Sequence, residues 1–181
     1  GFRLPGSAGF TYIPIVPGTT DDSLQRGGDF WYDSPETARF ASIARGESAR
    51  RLVMHELGHA IGFNHGHDGT RSIANVALTP DRDSSEFSVM TYRKFIGADA
   101  SGDSFANVEH FSAPQTLMMY DVAALQYLYG ANYNSNAGDT AYSWNAATGQ
   151  MFVNGVPEIA PGGDRIFMTL WDGNGIDTFD L

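Results

Sequence analysis

His55-Glu56-Leu57-Gly58-His59-Ala60-Ile61-Gly62-Phe63-Asn64-His65 is the stretch on which the reading of this chain turns. On a helix, His55 and His59 stand one turn apart (i, i+4), so both imidazoles leave the same face and can grip one metal ion. Glu56 sits on the flank of that face. Each residue advances ~100° around the axis, which places Val53, Leu57, Ala60 and Ile61 on the opposite side as an apolar stripe for a core. Gly62 lacks Cβ and suits a left-handed helix end. The turn it permits can return His65 to the first two histidines. Three neutral imidazoles suit Zn²⁺, and three protein ligands rather than four leave a position for water, as a catalytic site requires. Glu56 is then the base beside that water. His-Glu-x-x-His alone is a weak signal; Gly62 and His65 at this spacing make it specific.

His55, Glu56, His59, Gly62 and His65 match the long zinc motif of the metzincin metallopeptidases, and Ser88-Val89-Met90-Thr91-Tyr92 resembles their Met-turn. Two further stretches, Tyr120 to Asn132 and Trp171 to Asp180, resemble the serralysins, secreted bacterial proteases that continue into calcium-binding repeats. The resemblance runs from about Ala8 to Leu181. It implies an α+β metzincin catalytic domain over residues 1–181, with an active-site helix, an edge strand, a Met-turn and a C-terminal helix. Residues 133–181 would lead into a calcium-repeat region. It also implies an extracellular zinc endopeptidase acting on protein or peptide substrates. Met90 would pack beneath the zinc histidines without binding the metal. A phenol is a weak acid that can bind zinc or donate to an oxyanion, and the resemblance makes Tyr92 a displaceable further zinc ligand with that role.

The whole chain agrees with this direction. Its 181 residues allow one domain with a core, and 42% hydrophobic residues is an ordinary globular composition. A net charge of −10 argues against nucleic acid or an anionic membrane as partner. No apolar run approaches the ~20 residues of a membrane span. Cysteine is absent, so the fold owes nothing to disulfides; the astacins, which share the long zinc motif, are disulfide-bonded as a family.

Taken in order, Phe10 and Tyr12 share one face of a short strand ended by Pro14 and Pro17. Proline marks a sheet edge, and an edge strand can pair with an extended peptide; by resemblance, Gly9, Phe10, Thr11 and Tyr12 would lie along the substrate. Gly28 to Asp33 reads as an aromatic strand, Pro35 to Ala44 as a helical turn, and Ser48 as the N-cap of the zinc helix. Gly66 to Ser88 reads as loop, with His67 a solvent-exposed histidine. Pro114 suits the first turn of a core helix through Met118, Val122, Leu125 and Tyr129, ended by Gly130, with Asp121 structural.

Asp172 and Asp177 bracket a glycine-containing turn that brings hard oxygens together, as Ca²⁺ requires. The resemblance adds Asn136, Gly138 and Thr140 through their carbonyls, and Asn174. Asn136 stands where the family often has arginine and Asn174 where it often has glycine.

A metzincin needs further strands and a backing helix ahead of its edge strand. These are expected from a preceding part of a longer chain or from a separate N-terminal chain. Two readings from other classes stay open: an inactive metal-holding fragment that grips peptides without cutting them, and a calcium-dependent structural module. Glu56 argues against the first and the histidine set against the second.

Overall fold

Glycine and proline punctuate this chain so often that its elements are short. The structure, a computed structural model, describes residues 9–11, 28–32, 40–69, 76–100 and 109–181. Strands β1 (Gly9–Thr11) and β2 (Phe30–Tyr32) pair antiparallel, with Phe10 opposite Trp31, and both lie against helix α1 (Ser48–Ala60). Among the described residues β1 pairs with β2 alone. Tyr12 and the Pro35 to Arg39 part of the expected helical turn lie outside the described residues.

Helix α1 begins at Ser48, with Glu47 rather than Ser48 at the cap position and no side-chain cap bond. The Glu47 carbonyl accepts the first helical hydrogen bond, from the Arg51 N–H, at 3.2 Å. The face that α1 buries also differs from expectation. Ala49, Arg51, His55, Glu56, Gly58 and His59 are buried, whereas Leu57 is 50% exposed. The Met-turn packs on the histidine side, where the Val89 and Thr91 carbonyls meet Arg51 and His55, so chemistry and core share one face. The core there is Phe63, Val89, Met90 and Met118, flanked by Met54, Ile61, Leu117, Ala124, Leu125 and Phe167.

Helix α2 (Met119–Tyr129) starts later than the position of Pro114 predicts. Residues 115–116 are instead tied to the segment 165–169: the Gln115 N–H donates to the Phe167 carbonyl at 2.9 Å and the Thr169 N–H to Thr116 Oγ1 at 2.9 Å. The helix starts where Asp121 caps it, its carboxylate accepting the Met118 N–H at 2.8 Å. Gly130, at φ +85°, ends it as expected. Beyond it, β3 (Ala141–Asn145), β4 (Gln150–Val153) and β5 (Val156–Pro157) form an antiparallel meander, and β6 (Thr178–Asp180) joins β3 in parallel, giving the order β5-β4-β3-β6.

Candidate metal centre

Helix α1 presents His55 and His59 one turn apart, and the chain reverses at Gly62, whose φ of +102° is the left-handed conformation the sequence asks for. The reversal is closed by the Phe63 N–H on the Gly58 carbonyl at 2.8 Å. It returns His65 so that its Nε2 lies 3.1 Å from Nε2 of His55 and 3.0 Å from Nε2 of His59. Among the described residues these three are the group whose ligand atoms converge as a metal requires.

The other ring nitrogens decide what the convergence means. Nδ1 of His55 is 2.8 Å from the Val89 carbonyl, and Nδ1 of His59 is 2.8 Å from the Phe63 carbonyl. A carbonyl only accepts, so both Nδ1 atoms carry the proton and both Nε2 atoms present lone pairs. Burial, aided by His59 and Arg51, holds the His55 pKa well below the ordinary histidine range, which keeps that ring neutral. Lone pairs aimed at one point repel unless a cation lies between them. Zn–N bonds of ~2.0–2.1 Å in a tetrahedron set ligand nitrogens ~3.3–3.4 Å apart, so zinc fits this donor set with little movement.

The floor of the site is the Met-turn, residues 88–92. Met90 is 3% exposed, and its sulfur occupies the space a Cβ at position 58 would take, so Gly58 lets the thioether pack directly against α1. The Val89 peptide is gripped from both ends. Its carbonyl accepts from His55 and, at 3.1 Å, from Nη2 of Arg51; its N–H donates to Asp121 Oδ2 at 2.8 Å. Asp121 also accepts the Ser88 hydroxyl at 2.6 Å. Arg51 further donates to the Thr91 carbonyl at 2.5 Å. Burial lowers the Arg51 pKa to about 9, partly offset by Asp121, so the guanidinium is cationic at neutral pH. Burial raises the Asp121 pKa against the pull of its three hydrogen-bonding neighbours and Arg51. Arg51 escaped the sequence reading, although its place four residues before His55 puts it on the same helix face.

Glu56 is 5% exposed, within α1 between the two helical ligands. Tyr92 is the last residue of the Met-turn, its ring 5.8 Å from that of His55 and 4.5 Å from that of His65. His67 is not the solvent-exposed histidine expected. It is half-buried and stacks parallel on His65 at 5.2 Å, because the short turn after His65 folds back over it.

The two acidic loops also meet. The Gly173 N–H donates to the Ser135 carbonyl at 2.7 Å, the Thr140 N–H to Asp177 Oδ1 at 3.0 Å, and the Tyr142 hydroxyl to Asp172 Oδ2 at 2.6 Å. The carbonyls of Asn136 and Gly138 both face Thr140 Oγ1, at 3.3 and 2.9 Å. Asn174 is exposed, and its side chain accepts the Gly175 N–H at 2.9 Å. Gly9, Phe10 and Thr11 lie in β1 as described above.

A family model described as Met-zincin matches residues 37–149. The chain is 30% identical to Metalloprotease AprA of Pseudomonas entomophila (strain L48), over 97% of this chain and 35% of that protein. It is 30% identical to Serralysin C of Dickeya chrysanthemi over 97% of this chain and 34% of that protein, and 34% identical to Serralysin B of the same organism over 75% and 27%. The chain thus spans about a third of the length of these relatives. The matched segment takes in the histidine helix, the Met-turn and Asp121, and is more than half of the sequence: the chain belongs to the Met-zincin family and is similar to the serralysins.

Proposed function

We propose that this chain carries the active site of a zinc-dependent endopeptidase that hydrolyses peptide bonds of protein substrates. The observation that carries the reading is the meeting of three Nε2 atoms, with Nδ1 of His55 and His59 each on a backbone carbonyl, a pairing that favours the tautomer whose Nε2 offers a lone pair. His55, His59 and His65 would hold the metal. When bound, zinc acidifies a coordinated water and polarises the scissile carbonyl. Glu56, next to His55 and shielded from solvent, takes the proton from the attacking water and later delivers it to the leaving amine. The Tyr92 hydroxyl, against the rings of His55 and His65, donates to the oxyanion that develops on the carbonyl. β1 offers a backbone edge to an extended substrate, with Gly9 to Tyr12 as the contact strand.

Calcium belongs to the same proposal as a structural cofactor. Asp172 and Asp177, with Asn136, Gly138, Thr140 and Asn174, would bind it where the two loops already meet. The similarity to serralysins supports an extracellular protein, and among the described residues no helix is long and apolar enough to cross a membrane.

The test is cleavage of unfolded casein before and after chelation and zinc re-addition, with Glu56→Gln alongside. General acid–base loss predicts a fall of roughly 10²–10⁴-fold for Glu56→Gln with zinc retained. Peptide binding without cleavage in the zinc-loaded wild type would replace this reading with that of a peptide-binding module.

A further inference from the structure

Tyr92 is half-buried between two residues whose backbones are clamped. On one side Thr91 is fully buried and its carbonyl accepts from Arg51. On the other, the Arg93 carbonyl accepts both the Ser85 N–H at 2.9 Å and the Ser85 hydroxyl at 3.1 Å, and the Arg93 N–H reaches back to Thr91 Oγ1 at 3.0 Å. The Arg93 side chain then turns inward. Its Nε donates to Oδ2 of Asp83 at 3.1 Å and its Nη1 donates to the Ala98 carbonyl. Asp83 is 2% exposed, so this carboxylate depends on Arg93 for its counter-charge.

Asp83 also lies near the turn that follows His65. Its second oxygen, Oδ1, is buried without a hydrogen-bond partner and lies 3.2 Å from where a Cβ on Gly66 would stand. Gly66 directly follows His65, and its carbonyl accepts the Leu78 N–H at 2.7 Å, which holds that turn against the segment leading to Asp83. Asp83 therefore ties the residue after the tyrosine to the segment that is hydrogen-bonded to the residue after the third histidine. A buried ion pair contributes little net stability once desolvation is counted, and its better-attested use is to fix geometry.

We propose that Asp83 and Arg93 are positioning residues for Tyr92: their ion pair fixes the distance between the backbone carrying Tyr92 and the turn carrying His65. The phenol then meets the reacting carbonyl from a fixed hinge while its side chain stays free to rotate. The proposal rests on the reading of Tyr92 as an oxyanion donor. It assigns no contact with substrate to Asp83 or Arg93.

The experiment is a double-mutant cycle of Arg93→Met and Tyr92→Phe in the intact zinc-loaded protein. It reads kcat and KM on a peptide substrate, with zinc content from the same samples. Copper-substituted samples report through the phenolate-to-copper charge-transfer band whether Tyr92 reaches the metal. Arg93→Met is expected to lower kcat about tenfold with KM within about twofold, as a displaced donor does, and to weaken the copper band. In the Tyr92→Phe background the same change should cost less than about twofold, because the two act as one unit. Equal losses in both backgrounds, or a loss that tracks zinc content, overturn the proposal. An unchanged kcat for Tyr92→Phe alone overturns the reading of Tyr92 and the proposal with it, leaving the zinc site standing. If Arg93→Met does not fold, Arg93→Lys, which keeps the cation but loses the Nε–H that meets Asp83, runs through the same cycle under the same criteria.

Discussion

Removing the Asp121 carboxylate should unfasten the Met-turn from α2, and the size of the effect follows from what it leaves behind. The side chain is 2% exposed and accepts from Ser88 Oγ, the Val89 N–H and the Met118 N–H at 2.6, 2.8 and 2.8 Å. Asp121→Ala strands two buried backbone donors and a hydroxyl, at ~1–3 kcal/mol for each unsatisfied group. It also removes the nearby negative charge that offsets part of the burial cost of the Arg51 guanidinium. These losses share atoms and do not add, so the expected total is about 4 kcal/mol, a large fraction of the ~5–15 kcal/mol that holds a domain together. Asp121→Asn is a finer probe. Its amide oxygen can take the place of Oδ2 beneath both N–H groups, and its NH₂ can donate to Ser88 Oγ once that hydroxyl turns. The charge and the acceptor of the Ser88 hydroxyl are then lost, at about 2 kcal/mol, within the range for hydrogen bonds to charged groups. Urea unfolding of the three proteins measures both values. A cost below ~1 kcal/mol for Asp121→Ala, or equal costs for the two variants, would refute the reasoning.

Gly58→Ala drives a Cβ into the Met90 sulfur and to 3.2 Å from the Phe63 ring, so a loss of ~1–3 kcal/mol is expected from overpacking. Gly62→Ala meets nothing within 4 Å but must adopt φ +102°, so urea unfolding should show a strain cost of ~1–2 kcal/mol with no core disruption. The depressed His55 pKa means the unfolded chain binds the extra proton first. Metal-free stability should therefore fall as pH drops below ~6.5, by up to about 1.4 kcal/mol per unit from this group, and His55→Gln should flatten that slope. Asp177→Ala removes the acceptor of the Thr140 N–H and a proposed calcium ligand. Its melting temperature should fall further below wild type in calcium than in chelator, and equal shifts in both would reject the calcium site.

The local part of the site was legible because it is written in one helix and one turn. The i, i+4 spacing of His55 and His59, and Gly62 as the residue that admits a positive φ, are backbone facts that need no tertiary context. The buried face of α1 was not legible in the same way. Periodicity sorts residues by polarity, and here the polar side is the inner one, because Val89, Thr91 and Phe63 bring carbonyls to meet Arg51, His55 and His59. The start of α2 was misplaced for a related reason. Pro114 is compatible with a first helical turn, but long-range bonds from Gln115 and Thr116 to the 165–169 segment hold the chain out of helix until Asp121 can cap it. Asp121 was identified as structural, while its partners 32 and 33 residues away are beyond the reach of any local pattern.

Zinc K-edge X-ray absorption on the protein loaded with stoichiometric zinc tests the central claim most directly, because it counts imidazoles around the metal. The account predicts three imidazole nitrogens at ~2.0–2.1 Å with the remaining positions filled by oxygen. A first shell with two imidazoles or fewer would contradict it.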